Sequence, residues 1–331
     1  MADKSLKSEI SKGFENSKNF QSKATRDGFG EGIAEIGKNN DIVVLDADLA
    51  ESTRSIKFQE KYPERFFDFG IAEQNMVATA GGLAASGKIP FACSFAVFLT
   101  GRAYGQIRLM AGISHLNMKL IGSHAGLLTG EDGASHQSLE DISLMRGIPG
   151  MVVIQPADFM EAKKATIEIA KYTGPVYLRL GRGKVHIINK DDYKFKIGKG
   201  IELRDGKDIT IIATGALVDE ALRAHDELKK QGISARIINI HTIKPLDKEL
   251  IIKAAKETSA IVTAEDHSIY GGLGSAVSEV LAENTLVKLE RIGVKDTFGE
   301  SGAPDELYKK YGLTTDNIVK VTTKIWNEVK K

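Results

Sequence analysis

The sequence predicts an α/β fold of two domains, each built on a mainly parallel β-sheet covered by helices. Short apolar runs of strand length alternate along the chain with longer helical patterns. Most of the short runs are continuously apolar rather than alternating, as in sheets that are buried on both faces. A chain of 331 residues, 42% hydrophobic and 27% charged, is also too long for one simple core.

The strand and helix patterns alternate in a regular order. Strands are predicted at 42–45, 89–98, 118–122, 151–155, 176–180, 209–213, 235–240, 260–264 and 287–292. Helices are predicted between them at 26–37, 75–86, 139–146, 158–172, 217–230 and 274–282. Near residues 184–207 the sequence turns polar and irregular. We therefore predict a polar amino-terminal extension (1–20), a first domain (21–190), a linker (191–206) and a second domain (207–331).

Charge and cysteine content exclude several classes of protein. Lys and Arg number 45 against 44 Asp and Glu, so no global field attracts nucleic acid or an anionic membrane, and any anion site must be local. The single cysteine, Cys93, excludes an internal disulfide and a multi-cysteine metal site. No segment has the ~20 apolar residues of a membrane span, and the amino terminus lacks a signal-peptide core. We expect a soluble, cytoplasmic protein.

Residues 124–141 form the most informative segment, HAGLLTGEDGASHQSLED. They follow a predicted strand, so their polar groups emerge at its carboxyl end, where open α/β sheets bind ligands. An isolated histidine is more often structural than functional. Here His124 and His136 flank an Asp132-Gly133 turn, which favours a binding or catalytic role.

A second candidate segment is residues 70–76, GIAEQNM. Glu73 stands at the start of a helix, where an acid can simply complement the helix dipole. The helix behind it is too apolar and too rich in small residues to face water, so we predict that Glu73 lies at the end of a buried helix. Arg26 and Arg182 could be surface charges. Arg182, however, directly follows a strand, where a guanidinium can meet an anion.

Common enzyme motifs are absent from the sequence. The glycines at 271–274 suggest a dinucleotide fingerprint, but Val277 stands where its third glycine belongs, and no strand directly precedes them. The sequence contains no Walker A motif, no His-Glu-x-x-His and no Gly-x-Ser-x-Gly. The sequence therefore lacks the usual signatures of phosphoryl transfer, zinc-dependent hydrolysis and serine-dependent hydrolysis.

Four segments together resemble the carboxyl-terminal half of the transketolase family, from about residue 20 onwards: 48–52, 70–76, 94–104 and 131–137. The resemblance implies a pyrimidine-binding domain followed by a transketolase carboxyl-terminal domain. Full-length transketolases carry, ahead of this region, a domain whose Gly-Asp-Gly segment and Asn hold Mg²⁺ and a diphosphate. Since no such domain is present here, the chain resembles the second subunit of a split transketolase.

The resemblance implies thiamine diphosphate as cofactor. Glu73 would then bond the aminopyrimidine ring and act in catalysis, Phe98 would stack on that ring with Phe95 beside it, and Asp48 would lie near the cofactor. The alternative for both phenylalanines is a position in the core of a strand. The sequence departs from the family pattern in one place, because the segment 99–102 is one residue longer than in full-length transketolases.

The resemblance also implies transfer of a two-carbon ketol unit from a ketose phosphate to an aldose phosphate. Asp132 and His136 would contact hydroxyl and oxyanion groups of the donor, with His136 taking part in catalysis. The sugar phosphate would be bound by Arg26, Ser52, His124 and Arg182. No metal ligands are expected in this chain. A separate subunit with the diphosphate domain would bring the Mg²⁺ ligands, in an α2β2 assembly.

Three rival functions stay open from the sequence alone. A 2-oxoacid dehydrogenase E1 β subunit shares the cofactor domain, but its usual pattern lacks the loop found here at 132–137. A deoxyxylulose-phosphate-synthase-like half-enzyme has a similar loop, and a comparison of pyruvate with a ketose phosphate as donor would separate it. The third rival is a regulatory subunit without activity. The joint presence of Glu73, Asp132 and His136 argues against it.

Overall fold

A computed structural model describes residues 21–330 of the chain. The predicted amino-terminal extension (1–20) lies outside these residues. The strands are β1 Ser22–Ala24, β2 Ile42–Asp46, β3 Phe66–Asp68, β4 Ile89–Phe95, β5 Lys119–Ser123, β6 Val152–Ile154, β7 Val176–Arg179, β8 Lys184–His186, β9 Ile201–Arg204, β10 Ile209–Ala213, β11 Ala235–Asn239, β12 Thr242–Lys244, β13 Ala260–Ser268 and β14 Lys288–Val294.

The α-helices lie mainly between these strands. They are α1 Thr25–Ile36, α2 Ala50–Thr53, α3 Ile56–Gln59, α4 Glu73–Ala85, α5 Ala96–Arg102, α6 Tyr104–Ile107, α7 Asp141–Arg146, α8 Phe159–Lys171, α9 Leu217–Lys230, α10 Lys248–Glu257, α11 Leu273–Asn284, α12 Pro304–Tyr311 and α13 Thr315–Val329. Short 3₁₀ segments lie at Pro63–Arg65 and Leu127–Asp132, and Arg108–Ile113 forms a π-helix. No helix of residues 21–330 is long and apolar enough to cross a membrane.

The first sheet has the strand order β12-β6-β7-β5-β4-β2-β3. All neighbours are parallel except β12, which runs antiparallel to β6. Both faces are covered, because Val43 and Leu45 pack in one apolar cluster while Ile42 and Val44 pack in another. Burial on both faces explains why β2, which contains these four residues, reads as a continuous apolar run.

The second sheet has the strand order β14-β13-β10-β11-β9. Its strands from β14 to β11 run parallel to one another, and β9 joins the edge antiparallel to β11. Residues of β10 again alternate between two apolar clusters on opposite faces, with Ile211 in one and Ile212 in the other. The predicted fold class is confirmed, since both sheets are mainly parallel and are covered by helices.

The structure corrects the sequence prediction in several places. The strand predicted at 89–98 ends at Phe95, and Ala96–Arg102 is helical, so Phe98 lies on α5 and not in a strand. A short apolar run does not by itself distinguish a strand from a buried helix. The predicted linker contains β9, and β12 returns from the second half of the chain to the first sheet. The sequence patterns indicated neither of these strands.

A buried arginine links the two sheets. Arg179, the last residue of β7, and Asp141, the first of α7, are both almost fully buried and joined through Nε at 2.7 Å. The same guanidinium donates to the carbonyls of Ser138 at 3.1 Å and of Asp266, in β13, at 3.0 Å. Burial alone would raise the pKa of Asp141, but Arg179 holds it below its usual value. One side chain therefore fixes a loop of the first domain to a strand of the second.

Arg179→Met is expected to lower the free energy of unfolding by about 3–5 kcal/mol, because it leaves the Asp141 carboxylate buried without its partner. Urea unfolding followed by circular dichroism measures the loss. Lys230→Ala is the control. It removes an exposed pair with Glu227 and is expected to cost at most about 1 kcal/mol. An Arg179→Met protein as stable as Lys230→Ala would contradict this role of the pair.

Candidate active site

A polar cleft opens at the carboxyl edge of the first sheet, across the adjacent strands β7, β5, β4 and β2. The chain leaves β2 for β3 on one side and returns to β4 on the other, so the loops after β2 and β4 diverge, the usual position of ligand sites in such sheets. The cleft has a volume of about 400 Å³. Its lining residues were all predicted from the sequence: Arg26, Ser52, Phe95, His124, Asp132, His136 and Arg182.

Four rings pack together at this cleft: Phe95, His124 and His136 line it, and Phe98 adjoins them. The ring of Phe95 stacks on His124 with 3.7 Å between centres and lies 5.8 Å from the ring of Phe98. His136 meets the ring of Phe98 edge-on at 5.1 Å. The structure thus brings together both predicted histidines and both predicted phenylalanines, although they come from two separate segments of the chain.

His124 is held in one neutral tautomer. Its Nε2 lies 3.2 Å from Arg26 Nη1, and because a guanidinium only donates, this nitrogen must accept. Its Nδ1 therefore carries the proton and donates to Ser123 Oγ at 2.7 Å. Burial, followed by the charges of Arg26 and Arg182, lowers the pKa of His124 to about 3.

Cationic groups gather at one end of the cleft. Arg26 Nη1 donates to the Ser52 carbonyl at 2.9 Å, while its Nε is buried and has no hydrogen-bond partner among residues 21–330. Arg182 Nη1 donates to the Thr129 carbonyl at 2.7 Å and lies 3.3 Å from Asp132. Burial, and then the nearby charge of Arg54, lowers the pKa of Arg26. An anion at this end would relieve the repulsion between like charges.

Glu73 begins α4, as the sequence predicted, and is almost fully buried. The prediction that the whole helix is buried was wrong, since Gln74 and Gly82 are exposed and only one face of α4 packs inward. Its Oε1 accepts from Arg102 Nη1 at 2.8 Å. The same guanidinium lies over the ring of Phe98, with 4.2 Å from its carbon to the ring centre. A flat group with N–H donors therefore fits the space between the Glu73 carboxylate and the face of Phe98. An aminopyrimidine ring is such a group.

Asp48 lies apart from the cleft lining. It is exposed, has a left-handed backbone with φ of 62°, and follows the carboxyl end of β2. Its backbone N–H donates to Asp68 Oδ1 at 3.1 Å, and the N–H of Gly70 donates to the same oxygen at 2.8 Å. Asp68 thus ties Asp48 to the segment that leads into Glu73.

Asp46 is a residue of the site that sequence reasoning missed. Its buried carboxylate accepts from Leu49 N–H, Thr53 Oγ1 and Ser55 Oγ at 2.7, 2.8 and 2.8 Å. Burial raises its pKa to about 6, and these hydrogen bonds act in the opposite direction. The carboxylate holds the turn that carries Ser52. An acid ending a strand and followed by hydroxyl residues was the available signal.

The second domain braces the loop that carries Asp132 and His136. Asp266, in β13, accepts from the N–H of Leu127 at 2.9 Å. Gln137 Nε2 donates to the Glu300 carbonyl at 2.9 Å. Gly126 has φ of 80°, and a Cβ there would collide with the Asp266 carboxylate. The site therefore depends on both domains, although all its lining residues belong to the first.

Among residues 21–330 there is no group of three or more His, Cys, Asp or Glu side chains arranged to hold a metal ion. The acids near the cleft have other partners. Asp132 faces Arg182, and Glu73 faces Arg102. The arrangement combines an anion-binding end, two imidazoles and a carboxylate beside a ring face.

Two mainly parallel sheets with a polar cleft at the edge of the first define a class of two-domain α/β enzyme chains, and comparison with protein families identifies the class. The transketolase pyrimidine-binding domain profile matches residues 21–186, and the transketolase C-terminal domain profile matches residues 198–318. The chain belongs to the transketolase family.

Two relatives match almost end to end. The chain is 45% identical to the 6-deoxy-6-sulfo-D-fructose transketolase subunit of a Clostridium species, over 87% of this chain and 89% of that one. It is 39% identical to a subunit of the apulose-4-phosphate transketolase of Phocaeicola vulgatus, over 90% of this chain and 96% of that one. Against Rattus norvegicus transketolase, 40% identical, it spans only 48% of the longer protein. The chain thus corresponds in extent to separate transketolase subunits.

A solved structure has the same fold. It is described as a split-gene transketolase in an inactive β4 tetramer, is 44% identical, and superposes with a TM-score of 0.86 over 94% of this chain and 100% of that one. Transketolases generally use thiamine diphosphate, and the space between Glu73 and Phe98 suits its aminopyrimidine ring.

The titration of His124 predicts a specific pH dependence of stability. A histidine has a pKa of about 6.5 in an unfolded chain, and His124 has about 3 in the folded one. Protons therefore bind the unfolded chain first, and stability is lost as the pH falls below about 6.5. His124→Asn should lose about 2 kcal/mol less than wild type between pH 7 and pH 5. Urea unfolding at both pH values measures this, and equal losses would contradict a neutral His124.

Proposed function

We propose that this chain is the second subunit of a split transketolase and, with a separate diphosphate-binding subunit, transfers a two-carbon ketol unit from a ketose phosphate to an aldose phosphate. The single observation that carries the proposal is a cationic cleft adjoining a buried carboxylate and an aromatic face. When bound, thiamine diphosphate supplies the carbon nucleophile for this transfer. The protein supplies binding, orientation and control of protons.

Glu73 and Phe98 are the proposed cofactor contacts. The Glu73 carboxylate would hold a proton at a ring nitrogen of the aminopyrimidine, and its burial keeps water from competing for that hydrogen bond. Phe98 would stack on the ring, with Phe95 supporting it. Asp48, which lies outside the cleft lining, would act near the same edge of the sheet.

The substrate would lie along the cleft. Arg26, Arg182 and Ser52 would bind the terminal anion. His124 would join them once a shift to its Nε2–H tautomer turns that nitrogen from an acceptor for Arg26 into a donor. Binding the anion at the far end of the substrate orients its reacting carbons, and such orientation is a large part of catalysis. His136 and Asp132 would bond the hydroxyl and oxyanion groups nearer the reaction. Two relatives named for anionic sugars, one a sulfonate and one a phosphate, support an anion-binding end.

Glu73→Gln is expected to reduce kcat about 10²- to 10⁴-fold, the usual range for a group that controls proton transfer. The amide keeps a similar shape, so the Kd of thiamine diphosphate should change much less. Steady-state kinetics and calorimetry of the assembled enzyme measure the two effects. Glu60→Gln, an exposed glutamate of the same domain, is the matched control. Wild-type turnover of Glu73→Gln at saturating cofactor would remove Glu73 from the mechanism.

Arg26→Ala and Arg182→Ala are each expected to raise the KM for a ketose phosphate about 10- to 100-fold. The estimate follows from about 1.5–3 kcal/mol for a hydrogen bond to a charged group. An unphosphorylated ketose is the control, because it offers no anion and its KM should change little. If both donors lost the same factor, the arginines would have a role other than phosphate binding.

The chain alone is expected to be inactive in ketol transfer, because Mg²⁺ accompanies the diphosphate and residues 21–330 contain no group of three or more His, Cys, Asp or Glu side chains arranged to hold a metal ion. We propose an α2β2 assembly with its sites between subunits. The split-gene relative in an inactive β4 tetramer supports this. The purified chain is assayed with thiamine diphosphate and Mg²⁺, with and without the co-expressed partner, using ketose phosphate or pyruvate as donor. Full activity alone, or transfer from pyruvate only, would contradict the proposal.

A further inference from the structure

Arg102 contacts both proposed cofactor residues. It ends α5 with its side chain about half exposed, at 49%, whereas the Glu73 side chain is only 5% exposed. Nη1 donates to Glu73 Oε1 at 2.8 Å, and the guanidinium carbon lies 4.2 Å from the centre of the Phe98 ring. Gln74 Nε2 donates to the Arg102 carbonyl at 3.0 Å and fixes the end of the helix beside Glu73.

These contacts define a position in space. A group that stacks on Phe98 and bonds Glu73 at the same time must lie between them. The guanidinium does so as a flat, delocalised plane with N–H donors along its edge. An aminopyrimidine that made the same two contacts would also be flat, with donors along its edge. Both groups cannot occupy the space together.

We propose that Arg102 is an internal placeholder, which occupies the aminopyrimidine position in the cofactor-free chain and must swing out before the cofactor binds. The inference rests on the proposed function, since it takes Glu73 and Phe98 as cofactor contacts. The half-exposed arginine gives the Glu73 carboxylate a charged partner while the site is empty. Because Arg102 is half exposed, its head can move into water without unfolding α5.

The placeholder lowers the apparent affinity for the cofactor. If the cofactor binds only the open form, in which Arg102 has swung out, its apparent Kd equals the intrinsic Kd divided by the fraction of chains in that form. Partly exposed ion pairs and cation–π contacts are weak, so the open form is a minor but accessible state. We expect Arg102→Ala to bind thiamine diphosphate about 3- to 10-fold more tightly than wild type.

Two further variants separate charge from shape. Arg102→Lys keeps the cation but loses the flat face over Phe98, and its Kd is expected to fall between those of wild type and Arg102→Ala. Arg108→Ala is the matched control, because Arg108 is an exposed arginine on the following π-helix. Its Kd is expected to equal that of wild type.

The experiment is isothermal titration of thiamine diphosphate, with Mg²⁺, into this chain assembled with its co-expressed diphosphate-binding subunit. A lower Kd for Arg102→Ala with no change for Arg108→Ala supports the inference. An equal or higher Kd for Arg102→Ala overturns it and leaves the proposed function intact. Absence of binding by wild type and all variants overturns both.

A second measurement uses this chain alone. Urea midpoints are compared for wild type, Glu73→Gln, Arg102→Ala and the double variant. If the Glu73–Arg102 ion pair forms in solution, the double variant loses less stability than the two single variants lose in sum. Strict additivity would show that Arg102 does not occupy the position beside Glu73, and it would overturn the inference without any cofactor present.

Discussion

The rest of the structure depends on the Arg179 guanidinium. It stands at the carboxyl end of β7, next to the cleft, and contacts Asp141, the Ser138 carbonyl and the Asp266 carbonyl. The loop that carries Asp132 and His136 is thereby fixed at its far end, while Asp266 holds its near end through the N–H of Leu127. A charge with no access to water has few alternative partners, so the contacts of Arg179 hold these segments in place.

Electrostatics in this protein is local rather than global. The net charge of +1 gives no long-range field, yet Arg26 and Arg182 line one end of the cleft, and burial together with the nearby charge of Arg54 lowers the pKa of Arg26. His124 stays neutral because it is buried among these cations, so it can accept from Arg26. At the other end, the buried Glu73 is matched by the half-exposed Arg102. Each charge is therefore either paired or positioned to meet an anion.

Sequence patterns predicted much of this arrangement, but not all of it. The fold class and the residues lining the cleft were accessible, because continuous apolar runs report burial and polar residues after a strand report its carboxyl edge. The end of β4 could not be predicted, because apolar residues suit a buried helix as well as a strand. Arg102 escaped for another reason, because its partner Glu73 lies 29 positions away and no local pattern marks the pair. Asp46 did carry a local signal in the hydroxyl residues that follow it, but it was not singled out.

What the sequence determined by itself was the order of strands and helices and the type of chemistry available at their ends, because periodicity and residue type are local properties. Tertiary structure alone decided which ends meet. The pairing of β12 with β6, the bracing of the 124–141 loop by Asp266 and the contact of Arg102 with Glu73 join residues from 29 to more than 80 positions apart. Such contacts form only when the packing of whole sheets brings their partners together, so no window of sequence contains them.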